Sequence, residues 1–467
     1  MLSTLINVFK IEELRNKILF TLGMLIVFRL GHWIPLPGVN QDKLQELFDQ
    51  ASKGSGSGIE AIATYVTMFS GGSLSQSTIF GLGIMPYITA GIIFQLLASF
   101  LPQLKAIQEE GPTGRQKIME YTRYATVALC VVQGFGWLAY LNQNDLITPY
   151  WVQNPLWWVM AVTALTAGTT FLMWLGEQID KHGIGNGASM IIMAGILASI
   201  PQALGLVRAN FEPGTPGKMG WMGLILLAAG FVGVTMAAVL MQVAQRRIPV
   251  QQAKHTRGRK VYGGQKSYLP MRINHGGVMP IIFASSLMIF PTVVFAQLKE
   301  MANQNSWTGF GGDTLRFLSD NFQHNAFLYL LLYVAMIYFF SYFWITVQFN
   351  PEEMSKQLKE HGSFIPGLRP GPRTAEYLET VVTRVTFVGA AFLALIAVLP
   401  TVVNSSMNVD MTVTQFLGGT GLLIVVSVCM DFLQRVEANL MMRNYSGFLS
   451  GDEGAGSSPR LGGTSPR

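Results

Sequence analysis

Residues able to run chemistry are few in this chain, and none stands at a spacing that chemistry needs. Cys130 and Cys429 both lie in apolar runs, with no metal-ligand spacing and no disulfide framework, so they read as small core residues. The stretch "GGQKS" (263–267) has Gln where a phosphate-binding loop needs Gly before its lysine. "GIGNGAS" (183–189) lacks the GxGxxG spacing and follows no strand, so its glycines read as a tight turn between two apolar segments. There is no HExxH and no Cys/His cluster. Arg29, Glu177, Asp180, Asp431, Arg435 and Glu437 fall toward the ends of apolar segments, whereas a proton or ion path needs such groups at mid-span. Nothing here calls for a metal, a cofactor or a catalytic residue.

The elements around these residues are membrane spans. Half of the 467 residues are hydrophobic and 12% are charged, about half the charged share of a soluble domain. Apolar runs stand near 18–35, 76–100, 122–141, 156–176, 187–206, 220–243, 277–297, 326–348, 379–401 and 414–434. Each approaches the roughly 20 residues that a helix needs to cross the hydrocarbon layer, where backbone groups must be satisfied internally. With the N-terminus inside, 25 of the 32 Lys and Arg fall in inner segments and 6 in outer ones, which puts both termini in the cytoplasm. The first span follows Lys10, Arg15 and Lys17, but "HWIPLPG" offers no small-residue cleavage site, so it reads as uncleaved.

The connections are unequal. "ASKGSGSG" (51–58) and the polar segment 298–325 read as flexible outer loops, and the Gly/Ser/Pro-rich 450–467 as a disordered tail. The inner loops 244–276 and 349–377 are basic. Residues 246–274 hold eight Lys/Arg and no Asp or Glu, more than topology alone needs, and such a surface attracts phosphate or an acidic protein. Ten spans divide into two fives, and an odd number forces the second five to enter inverted, which places a working site near the midplane between them. "YVTMFSGGSLSQSTIFGLGIMPYITAG" (65–91) breaks at Ser70-Gly71-Gly72-Ser73. Glycines tolerate backbone angles closed to other residues. From the residues alone, a movable stopper and a fixed re-entrant turn are equally good readings. A channel driven by partners and an ion-coupled small-solute transporter also stand level, except that the latter wants a midplane carboxylate or His. A membrane enzyme or insertase wants a catalytic constellation.

Six stretches in order resemble the SecY family of bacterial protein-conducting channels: "FRLGHWIPLPG" (28–38), "MFSGGSLSQSTIFGLGIMPYI" (68–88), "FLMWLGEQIDKHGIGNG" (171–187), "GRKVYGGQKSYLP" (258–270), "FNPEEMSKQLKEHGSFIPGLRPG" (349–371) and "MDF" (430–432). The resemblance covers about 15–445 and favours the channel. It implies an all-α integral membrane protein whose ten transmembrane helices form two inverted five-helix halves, 1–206 and 207–445, around an hourglass pore, with 446–467 as a disordered tail. It implies no cofactor and no enzyme. The expected task is passage of unfolded secretory polypeptides across the bacterial cytoplasmic (inner) membrane, with lateral release of apolar segments into lipid. The expected partners are SecE, SecG, the SecA motor ATPase, the ribosome with its rRNA, signal sequences, nascent polypeptides and membrane lipids.

The resemblance also assigns residues. A short plug half-helix (64–73) would use Tyr65, Met68, Phe69, Ser70, Gly71 and Gly72, with 76–100 as the gate helix behind it. A ring of apolar side chains that closes around the passing chain maps to Ile84, Ile88, Ala188, Ile192, Ile282 and Ile424. Ala188 is smaller than the usual aliphatic residue, so the ring is looser there unless a neighbour such as Met190 fills the space. Thr89, Gln133, Ser285 and Ser286 would line a lateral gate, where polar contacts between helices are worth about 1 kcal/mol. Arg259 and Lys260 would dock the ribosome, and Arg369 would couple to the motor.

Overall fold

A computed structural model describes residues 11–44, 46, 77–143, 145–152, 154–211, 220–252, 255–257, 260–262, 266–304, 314, 317–318, 321–322, 326–407 and 420–450. The chain is mainly helical, with a helix at each of the ten expected places. In chain order these are α1 (Glu12–Gly31), α2 (Met85–Phe100), α3 (Pro102–Glu109), α4 (Pro112–Gln143), α5 (Pro155–His182), α6 (Gly187–Ala198), α7 (Ile200–Asn210), α8 (Trp221–Val243), α9 (Met279–Gln304), α10 (Phe327–Gln348), α11 (Pro351–Glu360), α12 (Pro372–Met407) and α13 (Thr420–Ser450).

Among the described residues six of the segments are long and apolar enough to cross a membrane: Pro112–Asn142, Pro155–His182, Gly187–Ala209, Trp221–Val243, Phe327–Glu360 and Pro372–Leu399. A seventh is the bent pair of α2 and α3, whose axes turn by 106° at Leu101. The ten expected spans therefore reach six or seven by this measure. α1, with Glu12, Glu13, Arg15, Lys17 and Arg29, is too charged to add to them. In α9 the apolar helix is Met279–Met288.

Local chemistry sets many helix starts. Proline stands in the first turn of α2, α3, α5, α7 and α11, where its missing N–H costs nothing. Asn154, Asn186 and Asn350 cap α5, α6 and α11 by accepting from free N–H groups of the first turn.

The main apolar core draws buried residues from α1, α2, α5, α6, α7, α8, α9, α10, α12 and α13. At one end of the bundle, residues 34–36 run antiparallel to 77–79: Leu36 N–H donates to the Ser77 carbonyl at 2.8 Å and Ile79 N–H to the Ile34 carbonyl at 3.1 Å. Ser77 is buried with φ at +42°, a conformation that few non-glycine residues adopt. Gly168 of α5 meets the Ile79 carbonyl so closely that any Cβ there would collide with it.

The two loops expected on the inner side carry strands. β1 (Gln245–Gln252) pairs antiparallel with β4 (Lys266–Arg272) on one side and with β5 (Ser363–Phe364) on the other, while β2 (His255–Arg257) and β3 (Lys260–Tyr262) form a hairpin between them. The two loops, far apart in sequence, are thus one body. Ile248, Val250 and Met271 from the sheet pack with Ile365 of the second loop and with Leu378, Val381 and Val382 of α12.

Candidate pore constriction and docking surface

The six expected ring residues come from four helices and enter one apolar cluster. Ile84, Ile192, Ile282 and Ile424 are buried in it, and Ile88 and Ala188 pack against it half-buried. A spacing of four puts Ile84 with Ile88, and Ala188 with Ile192, on one face of their helices. Ile84 is the residue that caps α2, reached through a turn in which Gly83 takes φ of +59°. Met190 belongs to the same cluster as Ile84 and Ile192, with Ala188 packed against it. It is buried under the turn before α6, where a Cβ on Gly185 would lie 3.4 Å from its Cγ. The six residues carry no ionisable group, and no His/Cys/Asp/Glu cluster able to hold a metal exists among the described residues. An aliphatic constriction of this kind dewets when empty and favours no one peptide side chain.

The gate residues lie on helices that meet: α2 packs against both α4 and α9. Thr89 Oγ1 donates to the Met85 carbonyl and Ser285 Oγ to the Ile282 carbonyl, both at 2.9 Å, so these hydroxyls are satisfied within their own helices. Ser286 Oγ is buried with no hydrogen bond among the described residues, and Gln133 is half-buried on α4. The four stand on three helices, two of which pack against α2, and the hydroxyls of Thr89 and Ser285 are used within their own helices.

Arg369 stands exposed on a tied turn. Ile365 is buried beneath it, Leu368 N–H closes on the Ile365 carbonyl at 3.0 Å, and Gly367 takes φ of +86°. On the other flank Thr374 Oγ1 donates to the Arg369 carbonyl at 2.9 Å, and Ser355 Oγ to the Gly371 carbonyl at 2.8 Å. Its guanidinium makes no ion pair or hydrogen bond with the described residues. Arg246, Arg247, Lys266 and Arg272 are exposed on β1 and β4 of the sheet that the second loop joins. Burial pushes the His275 imidazole below its usual range, so it stays neutral next to this basic surface. Lys260 lies in β3. Arg259 and the plug residues Tyr65, Met68, Phe69, Ser70, Gly71 and Gly72 lie outside the described residues.

Two features escaped the motif reading. Arg123 of α4 makes a two-pronged pair with Glu177 of α5, Nε to Oε1 at 2.7 Å and Nη2 to Oε2 at 2.6 Å. Thr21 of α1 and Asp180 of α5 both bond to the backbone of the turn at 183–187. The charges at the span ends and the glycine turn were visible in the sequence, but nothing in it links Thr21 to Ile184.

The comparisons agree with this geometry. The SecY family model matches residues 78–433. The protein translocase subunit SecY of Streptomyces coelicolor is 41% identical over 460 residues, covering 96% of this chain and 100% of that one. Among solved structures, a protein-conducting channel has a TM-score of 0.59 at 17% identity, covering 94% of each chain. Sec61 in a canine ribosome–channel complex from the endoplasmic reticulum has a TM-score of 0.54 at 16% identity, again covering 94% of each. With the family model spanning most of its length and a relative this similar end to end, the chain belongs to the SecY family.

Proposed function

We propose that this chain is the channel subunit of a bacterial protein translocase, passing unfolded secretory polypeptides across the cytoplasmic membrane and releasing apolar segments sideways into lipid. The observation that supports this reading is that the six expected ring positions, from four helices, enter one apolar cluster. A solute carrier or ion pump would place charge there. The protein is a channel and not an enzyme, so the work comes from partners. The SecA motor and the ribosome, its rRNA included, dock on the joined inner loops; SecE and SecG complete the membrane complex. The ribosome is supported by the ribosome-bound state of the Sec61 neighbour. The halves 1–206 and 207–445 clasp the pore in inverted orientation, with Thr89, Gln133, Ser285 and Ser286 along the lateral seam.

Orientation is tested on a version with Cys130 and Cys429 replaced and single cysteines placed at 55, 260, 305 or 360. An impermeant thiol reagent on intact cells labels positions 55 and 305 only, if both termini are inside. Labelling at 260 or 360 contradicts the topology.

A further inference from the structure

The turn between α5 and α6 is fastened by side chains from three elements. Asp180 Oδ1 accepts from Gly187 N–H at 2.7 Å, Thr21 Oγ1 accepts from Ile184 N–H at 3.2 Å, and Asn186 Oδ1 accepts from Ser189 N–H at 3.0 Å. Thr21 is buried and its hydroxyl proton is directed to the Lys17 carbonyl at 2.9 Å, which leaves its oxygen lone pair for the turn. Backbone contact tightens the same joint: any Cβ on Gly187 would collide with the Gly176 carbonyl of α5. Ile184 packs with Leu14 and Ile18 of α1 and Val436 of α13, so four helices meet here. Arg435 of α13 interacts electrostatically with Asp180 while pairing with Asp431 at 2.9 Å.

The next residue along the chain is Ala188, and Ile192 follows one turn later. Both belong to the apolar cluster that Ile424 of α13 also enters. Fixing the first N–H groups of α6 fixes the rotation and height of the helix at the point where these two side chains leave it. A carboxylate at a helix N-terminus is favoured by the free N–H groups and by the helix dipole. Asp180 is open to solvent on its outer side, which moderates the strength of its bond, whereas the Thr21 contact is buried.

From this geometry we infer that Thr21 and Asp180 are positioning residues for the pore constriction, holding the α6 side of the ring, Ala188 and Ile192, against α13 in the closed channel. The inference rests on the ring reading given under Proposed function. Loss of either anchor lets α6 rock at its N-terminus and opens a path past its two small or aliphatic contributors. One hydrogen bond of this class shifts an equilibrium by roughly three- to tenfold.

The test is resting ion conductance of the full-length chain, assembled with its small membrane subunits in planar bilayers, alongside its melting temperature. Four variants are compared: Thr21→Val, Asp180→Ala, Asp180→Asn and, as a direct ring lesion, Ile192→Gly. Expected are resting openings raised roughly three- to tenfold in Thr21→Val and Asp180→Ala, with Tm lowered at most modestly. Asp180→Asn, which keeps an oxygen acceptor, stays near wild type, and Ile192→Gly leaks. A merely structural role would lower Tm and leave the folded channels quiet, and that result overturns the inference. So does leak in Ile192→Gly alone, which spares the ring but removes the anchors. Silence in Ile192→Gly as well overturns the ring reading, and the anchors fall with it. If Asp180→Ala fails to assemble, Thr21→Val decides by itself between the same outcomes.

Discussion

Arg369→Glu cuts motor-driven translocation by at least about tenfold while the channel still folds and inserts. The reasoning starts from the turn. Ile365 anchors it from below, two hydroxyl-to-carbonyl bonds tie its far flank, and the guanidinium projects with no bond to the described residues. Proline after Arg369 restricts the arginine's own backbone. A pre-ordered, exposed guanidinium is the form in which a protein offers a hot-spot contact, since little ordering entropy is left to lose on binding. Reversing its charge turns attraction into repulsion, and a single charged contact of this kind is worth 2 kcal/mol or more, above the 1.4 kcal/mol that corresponds to tenfold. The backbone bonds of the turn use the Arg369 carbonyl and not its side chain, so the fold is spared. Arg369→Lys also falls short of wild type, because an ammonium cannot make a planar two-pronged contact. Motor ATPase stimulation and substrate protection, read in the same vesicles, check this. Wild-type translocation in Arg369→Glu vesicles would remove the coupling role from the loop.

Deleting residues 65–70 raises resting ion leak by about tenfold or more and loosens discrimination between signal sequences, with the spans intact. The segment lies outside the described residues, but the chain on its far side is firmly held. Ser77 is buried, backbone-bonded to Leu36 and contacted by the Trp137 indole N–H at 3.4 Å. The helices beyond 77 therefore keep their anchor when 65–70 is removed. Met68 and Phe69 supply the apolar bulk that the deletion takes away, and a state disfavoured by 1.4 kcal/mol less becomes tenfold more populated. Bilayer recordings check it through the frequency of openings. Wild-type frequency in the deletion channel would count against a sealing role.

The helices were legible because a run of about 20 apolar residues has few other uses. The ring assignment rests on its flanking motifs, since an isoleucine inside a span carries no signal of its own. The structure then adds what composition could not: Ile84, Ile192, Ile282 and Ile424, from distant parts of the chain, share one cluster. The sheet was missed for physical reasons. Only Ile248 and Val250 of β1 are buried, with Pro249 between them and exposed residues ahead, so the alternation is too short to stand out. β5 has two residues, and its pairing of Phe364 with Gln251 joins segments that no local pattern connects. The sharp bend at Leu101 was likewise invisible: α2 and α3 read as one apolar run followed by a loop. Basic residues in 244–276 and 349–377 suggested two separate docking sites. Their strands join them into one body.

The central claim, that this chain conducts polypeptide, is tested most directly by protease protection. The chain is reconstituted in vesicles with the proposed partners SecE and SecG, with a motor ATPase, ATP and a substrate bearing a signal sequence. The account predicts that substrate becomes protease-resistant only when ATP and the signal are both present, and that detergent abolishes the protection. Substrate that remains fully digestible, in vesicles whose channels are folded and bind the motor, would contradict it.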